Sequence, residues 1–89
     1  MRTVKIDASN IWTPAALQRY IQHVFDFPAY YGRNLDALYD MLRTLDRETH
    51  IVLCGGANPS DEMAAYLPRL ALVLEDAAAE NARLSLEVL

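Results

Sequence analysis

At 89 residues the chain has the length of one domain. Hydrophobic residues make up 53% and charged residues 22%, which supports a packed core and argues against disorder. The net charge of −4, from eight basic and twelve acidic residues, argues against an electrostatic grip on nucleic acid or an anionic membrane and suits a basic partner.

The N-terminal stretch MRTVKIDASN has no apolar run of signal-peptide length, and no segment approaches the span of a membrane helix. The cytoplasm is the expected location. Within it TVKIDA alternates, with Val4, Ile6 and Ala8 on one side and Thr3, Lys5 and Asp7 on the other, the pattern of a half-buried strand. SNIWTP then punctuates the chain, with Thr13 as N-cap and Pro14 at the first helical position. Leu17, Tyr20, Ile21, Val24 and Phe25 follow helical spacing, and Pro28 closes the helix or follows its end.

YYGRN reads as a turn in which Gly32 supplies a positive φ and Asn34 caps the next helix. Over residues 35–45, Leu35, Leu38, Met41, Leu42 and Leu45 share an apolar face, Asp36, Asp40 and Arg43 lie on the polar side, and Tyr39 falls between. HIVLC, ended by Gly55-Gly56, reads as a central strand buried on both faces, with Cys54 as a small buried thiol. As the only cysteine, Cys54 leaves no internal disulfide framework, which fits a reducing compartment. NPSDEMAAYLPRL predicts a short helical turn broken at Pro68, followed by a longer helix that carries Leu70, Val73, Leu74 and Ala77 inward. A second alternating strand, with Leu84, Leu86 and Val88 against Ser85 and Glu87, ends the chain. Strands separated by helices predict an α/β fold with three parallel strands, residues 50–54 in the centre, and three to four helices.

The acidic residues are the least conventional feature. Asp36, second in its helix, is favoured by the helix dipole; Asp40, more than a turn inside, is not, and its local partner would be Arg43 at i+3. Like charges at i,i+4 cost a few tenths of a kcal/mol. Asp76 and Glu80 repeat the spacing near the end of the later helix, where the dipole disfavours an anion. These residues can be a solvated helix face, one acidic docking surface, or ligands for Mg²⁺ at Asp36 and Asp40. The last lacks further ligands and a phosphate-binding loop. Neither His23 nor His50 gives Cys54 a recognisable catalytic context. Of the tyrosines, one of the adjacent pair Tyr30 and Tyr31 belongs to the core, and the others have amphipathic rings suited to an interface.

The run from Pro28 to Leu42, with its Tyr-Tyr-Gly-x-Asn-Leu-Asp-Ala-Leu-x-Asp core, resembles the barstar family of small intracellular inhibitors of the secreted ribonuclease barnase. Length and element order agree over the whole chain, so the resemblance implies a two-layer barstar-like fold in one domain, with a three-stranded parallel sheet in the order 1-2-3. It also implies a protein that is not an enzyme and needs no cofactor. Its expected partner is a basic barnase-like ribonuclease, bound 1:1, whose active site it plugs with the acidic helix and the preceding loop. By position, the resemblance places Tyr30, Gly32, Asn34, Leu35, Asp36, Tyr39 and Asp40 at the interface, with Asp40 entering the catalytic pocket. Asp76 and Glu80 match further acidic contact positions. The alternative is a barstar-like interaction module with a non-ribonuclease partner. Four positions depart from the best-known pattern: Arg33 replaces an acidic residue, Tyr39 and Leu45 stand where tryptophans are expected, and Asp76 is a shortened glutamate.

Overall fold

The computed structural model describes residues 1–89. Its elements run β1 (Arg2–Asp7), α1 (Pro14–Phe25), α2 (Leu35–Arg43), β2 (Thr49–Cys54), α3 (Asp61–Glu80) and β3 (Leu84–Val88). All three strands are parallel in the order β1-β2-β3, so the strand holding residues 50–54 is central as expected.

Register explains the two faces of the sheet. Val4 pairs with Ile51 and Ile51 with Leu86, and Ile6 pairs with Leu53, so one face is an apolar row on which the helices pack. One residue out of step, Thr3 pairs with His50 and His50 with Ser85, then Lys5 with Val52 and Val52 with Glu87. That face is polar and open. The expectation that β2 is buried on both faces is therefore corrected: Thr49, Ile51 and Leu53 are buried, while His50, Val52 and Cys54 are only half-buried. A continuous apolar run marks a strand covered on both sides, but here only one helical layer exists. The open face is stitched by polar cross-strand contacts, His50 Nδ1 to Ser85 Oγ at 2.7 Å and His50 Nε2 to Glu87 Oε1 at 3.3 Å.

Cys54 is correspondingly half-buried rather than fully enclosed, and both ring nitrogens of His50 are engaged with Ser85 and Glu87 instead of the thiol. Cys54→Ala is expected to retain partner binding and to cost no more than about 1 kcal/mol in a denaturant melt, because little buried volume is lost. A folded Cys54→Ala protein without binding activity would reinstate thiol chemistry.

The helices form where local signals place them. Thr13 Oγ1 accepts from the Ala16 amide at 3.2 Å with Pro14 at the first position, and Leu17, Ile21 and Phe25 turn into the core. Tyr20 leaves its hydroxyl on edge strand β1, donating to the Lys5 carbonyl at 3.0 Å. At the end of β1 the Asp7 carboxylate accepts from the Ser9 hydroxyl at 2.6 Å and the Ser9 amide at 3.0 Å, which holds its pKa below the usual carboxylate range.

Pro68 does not divide the last helix: α3 is one helix of 20 residues with Pro68 inside it. A proline there removes one intrahelical hydrogen bond and costs about 3 kcal/mol in an isolated helix. Buried residues on both sides of it, Met63 before and Leu70, Leu74 and Ala77 after, anchor both halves to the same core and offset that cost. The carbonyl that loses its donor belongs to Ala64, which is exposed and open to water.

Candidate partner-binding face

The loop before α2 is ordered from below by polar side chains in the core. Phe25 stacks on Phe27 with centroids 5.1 Å apart, and Phe27 meets the Tyr31 ring at 5.0 Å. The Tyr31 hydroxyl donates to Gln18 Oε1, and Gln18 Nε2 donates to the Tyr66 hydroxyl at 2.7 Å. Burial holds the Tyr31 phenol neutral by raising its pKa far above the ordinary range, with nearby Tyr66 adding a smaller push. Tyr31 is thus the core member of the pair, 5% exposed, and its neighbour Tyr30 is turned outward at 81%.

Gly32 was expected to carry the positive φ of the turn; it does not. The left-handed residue is Arg33, at φ 55°. Such a conformation costs a side-chain-bearing residue about 1–3 kcal/mol and persists only where its surroundings hold it. Gly32 serves packing instead, since a Cβ there would stand 3.2 Å from the Cβ of Ala37 in the first turn of α2. Asn34 caps α2 as expected, its Oδ1 accepting from the Ala37 amide at 2.7 Å.

α2 buries Leu38 and Leu42 and leaves Asp36 and Asp40 exposed, with Leu35 and Tyr39 half-buried at the boundary. Asp40 has no ion-pair partner: no lysine or arginine nitrogen stands within 4.0 Å of any carboxylate, and the one basic side chain at that distance from an acid is His50, beside Glu87. Arg43 lies over the Tyr39 ring, 5.7 Å from its centroid, instead of engaging Asp40.

Asp76 and Glu80 of α3 come to this same face. The Tyr39 pKa is raised, first by burial, then by the Glu80 carboxylate beside its hydroxyl, with Asp76 adding to the effect and Arg43 opposing it. The α3 carboxylates therefore lie on the side of Tyr39, in the same helix as the exposed Asp36 and Asp40. No three His, Cys, Asp or Glu side chains converge as a set able to hold a metal ion. What the arrangement offers is a group of carboxylates on a rigid helical face, free to accept hydrogen bonds from cations.

Asn81, which the motif does not cover, locks the far end of α2. At the C-cap of α3 and 7% exposed, it donates from Nδ2 to the Leu42 carbonyl at 2.9 Å and the Leu45 carbonyl at 2.8 Å. Its Oδ1 accepts from the Arg83 amide at 3.0 Å. The only local signal is an asparagine where a helix stops. Nothing in the spacing points to α2.

A family described as Barstar (barnase inhibitor) matches residues 1–89. A curated protein of Bacillus subtilis (strain 168) named "Putative ribonuclease inhibitor YrdF" is 45% identical over 42 residues. That match covers 47% of this chain and 46% of the relative, so the chain spans less than half of the relative's length.

Proposed function

Because this chain belongs to the barstar family, we propose that it is a non-enzymatic inhibitor that blocks a basic, barnase-type ribonuclease by occupying its active site 1:1 with the α2 face. The observation that carries this reading is the convergence of Asp76 and Glu80 from α3 on Tyr39, next to Asp36 and Asp40 of α2. A ribonuclease must hold a phosphodiester with arginine, lysine and histidine side chains. Carboxylates presented together can take the phosphates' place, with Asp40 at the catalytic cations and Tyr30, Gly32, Asn34, Leu35, Asp36 and Tyr39 forming the surrounding contact. Complementary charge raises the association rate and rejects wrong partners.

No helix is long and apolar enough to cross a membrane. The cytoplasm is the site we propose for this activity, since a ribonuclease folded inside its producer would destroy cellular RNA. The direct test titrates the purified chain into a barnase-type ribonuclease and follows RNA cleavage. Cleavage is expected to fall linearly to zero at equimolar inhibitor. Undiminished cleavage at tenfold excess, with tight capture of a partner that is not a ribonuclease, would replace this reading with that of a general interaction module.

Asp76 and Glu80 stand at the side of the face, and their charges are expected to act mainly on encounter. Neutralising both, as Asp76→Asn with Glu80→Gln, should slow association severalfold at low salt and flatten its salt dependence, with a smaller change in dissociation. Stopped-flow mixing measures this, and an unchanged association rate at low salt would remove both residues from the interface.

A further inference from the structure

Beside the acidic face lies a groove in which two arginines outnumber one aspartate, about 390 Å³ in volume, between the start of α1, the loop before α2 and α3. Gln18, Arg33, Asn34, Asp36, Tyr66 and Arg69 are among the residues lining it. Neither arginine has a carboxylate within 4.0 Å, although the chain carries twelve acidic residues against eight basic ones. Both are nevertheless held in place. Arg33 Nε donates to Gln22 Oε1 at 2.8 Å, and Gln22 Nε2 donates in turn to the Pro28 carbonyl at 2.9 Å, so one amide ties the guanidinium to the loop backbone. Arg69 packs over the Tyr66 ring, 5.9 Å from its centroid. Arg33 also borders the neighbouring recess with Arg19 and His23, so that it stands on a ridge between two partly basic hollows.

The Gln18 amide beneath the groove is already satisfied at both ends by Tyr31 and Tyr66, so the floor asks for no ligand and the two arginines set the chemistry. A guanidinium with its Nε engaged keeps its terminal nitrogens free, a geometry suited to a carboxylate. RNA is a poor occupant, because a polyanion meets the net charge of −4 of the whole chain, whereas a single carboxylate meets two arginines against the one aspartate, Asp36, of the lining.

We infer that this groove receives an aspartate or glutamate side chain of the protein partner, held by Arg33 and Arg69, while Asp36 and Asp40 meet the partner's cations. The inference rests on the ribonuclease-inhibitor reading and narrows it: the enzyme fitted by this chain borders its basic site with an acidic residue. Arg33 and Arg69 then set specificity, since an enzyme with lysine or arginine at that border is repelled.

The test titrates a panel of purified barnase-type ribonucleases with wild-type protein, Arg33→Glu, Arg69→Glu and Asp40→Ala. On the enzyme that wild type holds most tightly, each charge reversal is expected to weaken binding at least about tenfold. Arg33→Gln and Arg69→Gln, which keep bulk without charge, should weaken it less and carry the test if a reversal variant fails to fold. The decisive arm replaces the enzyme's border carboxylates by lysine, one at a time. One such replacement should restore binding to Arg33→Glu and weaken binding to wild type, a charge-swap rescue that a merely structural role cannot produce. If the arginine variants bind like wild type, or no swap rescues, while Asp40→Ala binds poorly, the groove inference falls alone. If wild type inhibits no enzyme of the panel, the inhibitor reading falls and takes this inference with it.

Discussion

Asp40→Ala is expected to leave the free protein within about 0.5 kcal/mol of wild type while weakening its complex with a barnase-type ribonuclease by at least about 2–5 kcal/mol. The first half follows from what Asp40 touches. Its carboxylate is exposed and unpaired, and only its backbone carbonyl is engaged, accepting from Thr44 Oγ1 at 3.1 Å. It lies beyond the first turn of α2, so dipole compensation gives it little, and alanine is the better helix former. Removal also relieves repulsion from Asp36, worth a few tenths of a kcal/mol. The second half follows from the proposed role. Truncating the group that replaces RNA phosphate strands the enzyme's catalytic cations in a desolvated interface, and the loss should appear mostly as faster dissociation. One variant is measured twice, by denaturant melt and by ribonuclease inhibition. A stable Asp40→Ala protein that inhibits as tightly as wild type would sink the mechanism.

Asn81→Leu is expected to show the opposite signature, a loss of about 2–3 kcal/mol in the free protein and a melting temperature lower by roughly 10–20 °C. Leucine has comparable bulk, but it strands the Leu45 carbonyl that Asn81 Nδ2 satisfies and the Arg83 amide that Oδ1 satisfies, and it leaves the Leu42 carbonyl with only its backbone partners at the end of α2. Those carbonyls lie at and just past the end of α2, so the buried side chain joins the helix bearing Asp40 to the α3–β3 turn. Well below its melting temperature the variant should still inhibit, because every acidic group of the face is intact. Thermal unfolding checks the first expectation, and a melting temperature within 2 °C of wild type would show that water replaces these bonds freely.

Much of the architecture was legible because it depends on neighbours a few residues away. Thr13 and Asn34 are caps whose side chains reach amides three positions on, and the bonds to Ala16 and Ala37 are those such residues make. The stripe Leu17, Ile21, Phe25 follows a helical period, and Val4 and Ile6 follow a strand period. The order of strands and helices requires crossovers, hence a parallel sheet with its second strand central. The motif from Tyr30 to Asp40 likewise marks one continuous surface, since a loop and the helix that follows it cannot separate.

Other features depended on partners that only folding brings near. The alternation of β2 is invisible in HIVLC, because an apolar residue can face either a helix or the open side of a sheet. Pro68 reads as a break by local rules, yet burial of Met63 and Leu70 on either side keeps α3 whole. The positive φ belongs to Arg33 rather than Gly32, since the close approach to Ala37 places the small residue where packing needs it. The sequence by itself determined the elements, their order and the presence of two locally unfavourable acidic pairs, all of which follow from interactions within a turn or two of chain. That Asp76 and Glu80 meet Tyr39 of α2, that Asn81 closes that helix, and that Arg33 and Arg69 share a groove were decided by the tertiary structure alone. Such contacts depend on how α3 lies against α2, and that angle is set by the whole core rather than by any local spacing.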